Sequence, residues 1–270
     1  LYPIGWLSRI FPSTNLLFIL QSAALASAVF PLNRLAKHRG LSRISTIASL
    51  LTIILFPVVF NVAVFDFHPE VLAFPLIVES IVLLNTRPKY FYIRLFTCLF
   101  FSLTCKISMS VLILGIGIFL LFKGQRGLAI SISSFAIAWL VLAGRFVIPY
   151  FGGEKAGITR HLAKFGFSTG TSLSIRDLPI HAHQLLGQTF SLSNLEYCFL
   201  LFLPVAYILL YRRLDKIILS IIPFLPLFFL NILSSELPMK GLVHQYSLFF
   251  VPFIVVAVQE TMSPHVEGVN

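Results

Sequence analysis

The sequence is a succession of long apolar runs separated by short polar turns. A helix needs about 18–20 apolar residues to cross a bilayer, and unbroken apolar runs are typical of helices, whereas barrel strands alternate with period two. The chain is 57% hydrophobic and only 11% charged, whereas soluble domains are about a quarter charged. We therefore predict an all-α polytopic helical membrane protein. Its single membrane domain, 1–270, would hold about nine transmembrane helices, some of them short, at 16–35, 44–64, 71–84, 90–105, 107–122, 127–149, 197–211, 217–233 and 246–260.

Basic residues predict the orientation of these helices. The net charge of +10 arises from 20 Lys and Arg against 10 Asp and Glu, and the densest basic cluster runs from Arg34 to Arg43. Lys and Arg concentrate in cytoplasmic loops, so this charge indicates an inner (plasma) membrane protein with cytoplasmic basic loops. No basic stretch is interleaved with aromatic residues as a nucleic-acid site requires, so we expect the lipid bilayer, and no nucleic acid, as a partner. The turn after residue 64 and the long loop 150–196 are then external.

The apolar segment 90–122 has two interpretations, because Lys106 lies in its middle. One helix of 33 residues would be about 50 Å long, too long for one crossing. A single tilted span would also bury Lys106 at a cost of about 2.5–3.5 kcal/mol or more. We therefore predict two short spans with Lys106 at an external turn between them.

Ionisable residues are concentrated at 65–70, which read Phe-Asp-Phe-His-Pro-Glu. Asp66 or Glu70 would serve as a general base that activates an acceptor hydroxyl. Alternatively, Asp66 and His68 would ligate a divalent cation that holds a phosphate or diphosphate, or Glu70 would orient His68. The competing structural interpretation is a capped, hydrogen-bonded turn at a helix end. Pro69 predicts an extended His68 and the end of the preceding helix.

Other candidate residues each have a functional and a structural interpretation. Lys106 would anchor a lipid phosphate, or it snorkels to the membrane interface. His244 and Tyr246 would bind substrate at the entrance of the last span, or they belong to an interfacial aromatic belt. Arg176 in the long loop would meet a phosphate, or it is a solvated loop charge. Glu79 lies within a span, so it is either neutral or faces a polar partner or a cavity.

Four stretches resemble a family of uncharacterised bacterial multi-spanning proteins, often called predicted membrane proteins. This family is grouped with the GT-C superfamily of lipid-phosphate-sugar-dependent glycosyltransferases. The stretches are 1–36, the residues 65–70, Cys105-Lys106 with the later Gly115, and His244-Gln245-Tyr246 through Phe253. The family usually places an acidic residue directly after the lysine, whereas Ile107 follows Lys106 here.

The resemblance implies a GT-C-like bundle that transfers sugar from a polyprenyl-phosphate-linked donor at the external face. Asp66 or Glu70 would then be the catalytic base, with His68, Lys106, His244, Tyr246 and Arg176 binding substrate. The family begins with a further span and an acidic external loop, where GT-C enzymes commonly carry a catalytic carboxylate. This sequence starts at Leu1 without them, so the resemblance implies N-terminal truncation. The alternatives are a non-enzymatic transporter or lipid-handling protein, and an inactive fragment of the enzyme family.

Overall fold

The structure is a computed structural model that describes residues 5–6, 9–151, 187, 189–211, 214–234 and 236–264. Helices make up nearly all of these residues, and no strand occurs among them. The predicted all-α class is therefore confirmed.

Twelve α-helices organise the described part of the chain. In chain order they are α1 Thr14–Ser27, α2 Val29–His38, α3 Arg43–Ile54, α4 Pro57–Val64, α5 Ala73–Thr86, α6 Phe91–Cys105, α7 Met109–Phe122, α8 Arg126–Leu142, α9 Leu192–Phe202, α10 Leu214–Ile221, α11 Leu225–Leu233 and α12 Val251–Met262. Helix α8 continues through a π-helical turn, Ala143–Val147, to Tyr150. Short 3-10 segments lie at Pro69–Leu72, Leu203–Tyr211, Ile222–Phe224, Leu237–Lys240 and Gln245–Phe250.

Several helical segments are long and apolar enough to cross a membrane. Among the described residues there are six, or seven when α3 and α4 count as one bent span. The shorter apolar helices α6 and α7 correspond to the two short spans predicted on either side of Lys106. Each of the nine predicted apolar runs is thus helical, which supports a polytopic membrane protein.

The segment predicted as one straight helix, 44–64, is broken. Helix α3 ends at Ile54, α4 begins at Pro57, and the two meet at a bend of 48°. The cause is local: Pro57 lacks a backbone N–H and forces the preceding Phe56 into an extended conformation, with φ −62° and ψ 128°. The break falls near the middle of the segment and moves α4 away from the axis of α3.

Two other boundaries differ from the sequence prediction. Helices α1 and α2 form one span, Thr14–His38, which extends past the predicted end at residue 35 and includes Arg34 and Lys37. The span predicted at 197–211 begins at Leu192, so the long loop is shorter at its end than the predicted 150–196. At Lys37 an apolar span thus continues into the basic cluster that had suggested a loop.

Helix α12 is the centre of the bundle. Ten of its residues are buried, among them Val255, Val258 and Gln259, and it packs against α3 and α10. The buried Gln259 amide donates to the Leu32 carbonyl (3.2 Å) and to the Ser49 hydroxyl (3.1 Å). The C-terminal apolar run therefore forms the core around which the other helices pack.

The two ends of the bundle carry different residues, which lie at opposite ends of α7. One end, the Glu70 end, holds the turn 65–70, Lys106 and 241–246. The other, the Arg39 end, holds Arg39, the turn after α7 and the ends of α5 and α12. Helix α7 has 14 residues, so about 21 Å separates the two ends along its axis.

Candidate functional site

A buried glutamine shapes the turn 65–70. The Gln21 side chain is fully buried in α1, and its amide nitrogen donates to the carbonyls of Val62 (2.7 Å) and Phe65 (3.3 Å). Its amide oxygen accepts the backbone N–H of His68 at 3.0 Å. These bonds satisfy carbonyl groups that the end of α4 leaves without helical partners. Gln21 therefore fixes the path of the turn against the first span.

Pro69 fixes the end of the same turn. The residue before it, His68, is extended, with φ −118° and ψ 112°, as predicted for a residue that precedes proline. Pro69 then starts the 3-10 turn Pro69–Leu72, which leads into α5. This change of direction turns the Glu70 side chain into the bundle, where the residue is buried.

Glu70 and Lys106 form an ion pair between two distant stretches of the chain. The Lys106 ammonium donates to a Glu70 carboxylate oxygen at 2.6 Å, and the two side chains are 29% and 10% exposed, respectively. Lys106 lies in the turn between α6 and α7, as predicted, with an extended backbone at φ −158° and ψ 139°. Gln245 lies beside this pair and lines a small cavity together with Lys106.

Tyr246 completes this group of charged and aromatic side chains. Its ring lies under the Lys106 ammonium, with the nitrogen 4.6 Å from the ring centroid, a distance at which cation–π attraction operates. Three predicted site residues, Glu70, Lys106 and Tyr246, therefore meet although they come from three separate turns. We call Glu70, Lys106, Gln245 and Tyr246 the ion-pair cluster.

The two predicted histidines lie on either side of one phenylalanine. The Phe65 ring is nearly parallel to the His68 ring, with centroids 6.0 Å apart, and edge-on to His244 at 5.3 Å. The Nε2 atom of His68 is buried and has no hydrogen-bond partner among the described residues. Asn61 links α4 to the stretch 241–246, because its side-chain amide donates to the Leu242 carbonyl at 3.0 Å.

Asp66 takes no part in these contacts, and Arg176 cannot be placed relative to them. Asp66 is exposed at the tip of the turn, and no ion pair involves it within the described part of the chain. Arg176 falls in 152–186, outside the described residues. Glu70 bonds to Lys106, and Gln21 holds the His68 backbone, so the geometry gives no support to Glu70 as the orienting partner of His68.

A divalent-cation site at Asp66 and His68 finds no further ligands nearby. No group of three or more His, Cys, Asp or Glu side chains that could hold a metal ion occurs among the described residues. Hard divalent cations prefer oxygen ligands, and Mg²⁺ often takes only one or two carboxylates together with phosphate oxygens. A cation site at Asp66 and His68 therefore stays a prediction.

Sequence reasoning missed the buried amides and hydroxyls next to the ion-pair cluster. The Asn231 amide donates to the Tyr197 hydroxyl (3.4 Å) and to the Tyr246 carbonyl (3.3 Å), and the Tyr197 and Ser247 hydroxyls lie 2.8 Å apart. Asn231 and Tyr246 border a small cavity of about 40 Å³ that Lys106 also lines. The sequence did carry a signal, because Gln21 and Asn231 are polar amides within apolar runs. Burying an amide costs free energy unless it is hydrogen-bonded, so each of them needs a partner inside the bundle.

An apolar groove of about 260 Å³ lies beside the broken span. Its walls come from α1, α3 and α4 and include Ser22, Ile53, Val59 and Ala63. Ser22 is adjacent to Gln21, and Ala63 lies two residues before Phe65, so one end of the groove adjoins the turn 65–70. A cavity with walls this apolar suits a hydrocarbon chain.

Charged residues at the Arg39 end form a separate network. Glu79 in α5 pairs with Arg34 and with Arg94, the latter at 2.8 Å, which confirms that this in-span carboxylate faces polar partners. Arg39 pairs with Glu260 at 2.6 Å and donates to the Val256 carbonyl at 2.9 Å. Burial lowers the pKa of the Arg39 guanidinium, and the nearby Glu260 carboxylate acts in the opposite direction.

These features define a class of protein: an all-α polytopic membrane protein whose apolar helices contact the lipid bilayer and in which Glu70 and Lys106 pair where helices end. Residues 1–268 match the model of the family described as "Predicted membrane protein (DUF2079)". The chain belongs to this family, as the resemblance predicted. No curated protein and no solved structure matches the chain.

Proposed function

We propose that this protein acts as a GT-C-type glycosyltransferase at the external face of the inner membrane. It would transfer a sugar from a polyprenyl-phosphate-linked donor to an acceptor hydroxyl. The observation that carries the proposal is the contact of Lys106 with Glu70 (2.6 Å) and with the Tyr246 ring (4.6 Å). This contact holds a cation at the Glu70 end of the bundle, where the turn 65–70 adjoins the apolar groove.

Lys106 would stabilise the phosphate leaving group. An ammonium has three N–H donors, and Glu70 accepts only one of them. The side chain is 29% exposed, so a phosphate oxygen can approach the remaining donors. Negative charge grows on that oxygen as the bond to the sugar breaks, and a fixed cation stabilises developing charge of this kind.

Asp66 is better placed than Glu70 to act as the general base. The Glu70 carboxylate is buried and already paired with Lys106, so its role is to position the lysine. Asp66 is exposed in the same turn and can reach an acceptor from solution. In the transfer, Asp66 takes the hydroxyl proton, the acceptor oxygen bonds to the anomeric carbon, and the bond from that carbon to phosphate breaks. The electron pair leaves with the polyprenyl phosphate.

The remaining candidates would bind the substrate. The buried Nε2 of His68 lacks a partner and would hydrogen-bond the sugar or the phosphate. The rings of Phe65, His244 and Tyr246 offer flat surfaces for a sugar face, and Arg176 would contribute a second phosphate contact. The apolar groove next to Ala63 would hold the first isoprene units of the carrier.

Sugar transfer by the intact protein in proteoliposomes tests this proposal. Radiolabelled polyprenyl-phosphate hexoses serve as donors, and Asp66→Asn and Lys106→Met are compared with the wild type. Removing a positioned general base typically costs about 10²–10⁴ in rate, so we expect at least a hundredfold loss for Asp66→Asn. Asp215→Asn is the matched control, because Asp215 is an exposed carboxylate in α10, outside the ion-pair cluster. Full activity in both Asp66→Asn and Lys106→Met would refute the proposal.

One observation favours a second candidate function, transport or lipid handling. The break between α3 and α4, with its 48° bend, is a discontinuous helix of the kind that forms binding sites in transporters. A transporter of this kind would move a labelled lipid or solute across the proteoliposome membrane without forming a glycoside. Flux that is unchanged in Asp66→Asn, together with no sugar transfer by the wild type, would favour this function over the enzyme.

A further inference from the structure

The Arg39 end of the bundle contains a cavity of about 210 Å³ between the ends of α5, α7, α10 and α12. Its lining is divided by chemistry. Its inner walls are buried apolar side chains such as Ile81, Ile116 and Phe253. The exposed residues Lys123 and Lys216 form a basic rim, and the mostly buried Arg39 also lines the cavity.

The rim has an excess of positive charge. Arg39 is neutralised by Glu260 at 2.6 Å. Lys123 is exposed, and its ammonium lies 5.7 Å from the Phe119 ring centroid, whereas Lys216 is exposed on the first turn of α10. Neither lysine forms an ion pair with any carboxylate of the described residues. Lys123 and Lys216 therefore carry two positive charges at the mouth of the cavity that no carboxylate of the described residues neutralises.

We propose that this cavity binds the phosphate head group of an anionic phospholipid. A basic rim above apolar walls complements an amphiphile that has an anionic head and a hydrocarbon tail. Lys is a compact cation well suited to phosphate, and basic pockets between transmembrane helices on the cytoplasmic side are sites of this kind. Ser220 also lines the cavity, and its hydroxyl can donate to a phosphate oxygen.

This site is separate from the proposed glycosyl-transfer site and does not depend on it. Lys106 precedes α7 and Lys123 follows it, so the 14-residue helix separates the two lysines by about 21 Å. A lipid at the Arg39 end would be a structural or regulatory ligand, because it cannot reach Asp66. A bound lipid would contact the ends of α7, α10 and α12, which surround the cavity, and would link these three helices.

Lipid binding to the purified full-length protein in mixed micelles tests this proposal. Phosphatidylglycerol and phosphatidylcholine with the same acyl chains are titrated, and bound lipid is counted by native mass spectrometry. A lysine near the membrane surface contributes about 1 kcal/mol to binding of anionic lipid, which is about fivefold in affinity. We expect Lys123→Gln and Lys216→Gln each to weaken phosphatidylglycerol binding about fivefold, and the double variant about thirtyfold.

Two controls make the result decisive. Lys89→Gln removes an exposed lysine that does not line the cavity and should leave the affinity unchanged; an equal loss would show general surface charge and overturn the proposal. Inorganic phosphate is titrated as a competitor. If it displaces phosphatidylglycerol at comparable concentration, the site takes a soluble anion and the lipid assignment is wrong. Unchanged thermal unfolding of each variant shows that the substitutions leave the fold intact.

Discussion

Removal of Lys106 should destabilise the protein by an amount that can be worked out from its ion pair. Lys106→Met leaves the Glu70 carboxylate, which is only 10% exposed, without its cation. Removing one partner of a buried pair costs about 3–5 kcal/mol. Because the Lys106 side chain is 29% exposed, water reaches the pair, and we expect the lower end, about 3 kcal/mol. For a chain of this size that is a fall in Tm of about 6–12 °C.

A double variant separates the ion pair from other effects of the substitution. In Glu70→Gln/Lys106→Met no charge remains at the pair, so no buried carboxylate is left without a partner. We expect the double variant to lie within about 1 kcal/mol of the wild type, and therefore about 2 kcal/mol above Lys106→Met in stability. The assay is thermal unfolding of the detergent-solubilised protein, with Lys89→Met as a control at an exposed lysine. Equal destabilisation of the single and double variants would refute the reasoning.

Four further substitutions test the packing, the turns and the ion pairs. A Cβ at Gly115 would lie 1.9 Å from a backbone carbonyl oxygen of the segment before α11, so Gly115→Ala should cost about 3 kcal/mol or more. Gly127→Ala, with no atom within 4 Å, should be neutral or slightly stabilising in the same unfolding assay. Gln21→Leu removes three hydrogen bonds of about 1 kcal/mol each, and faster hydrogen exchange at the His68 amide would report the loosened turn. Glu79→Gln weakens two partly exposed ion pairs, and a fall in Tm of about 2–4 °C is expected, since each such pair contributes up to about 1 kcal/mol.

Much of the fold could be predicted, because long apolar runs in the sequence of a membrane protein indicate its helices. Each predicted apolar run is helical, and Lys106 does fall in a turn between two short helices. The break before Pro57 was not predicted. The proline is present in the sequence, but the residues on both sides of it are apolar, so hydropathy indicated one continuous span. Hydropathy reports how much of a segment avoids water, whereas the bend depends on one missing backbone N–H.

The members of the candidate site could be predicted, but their pairings could not. Glu70 and Lys106 were both singled out, yet 36 residues separate them, and nothing in the sequence indicates which charges meet across a bundle. Gln21 and Gln245 were missed because an amide carries no charge and no motif. Their importance follows from tertiary structure, since a buried amide must find partners for its donors and acceptor.

The most direct test of the whole account is the membrane side on which each end of the bundle lies. Asp66→Cys and Lys123→Cys place one exposed thiol at each end, in a protein whose native cysteines, Cys98, Cys105 and Cys198, are replaced by alanine. The positive-inside pattern predicts that a membrane-impermeant maleimide added to intact spheroplasts labels Asp66→Cys and labels Lys123→Cys only after permeabilisation. Labelling of Lys123→Cys in intact spheroplasts, with Asp66→Cys protected until permeabilisation, would contradict both the external transfer site and the cytoplasmic lipid site.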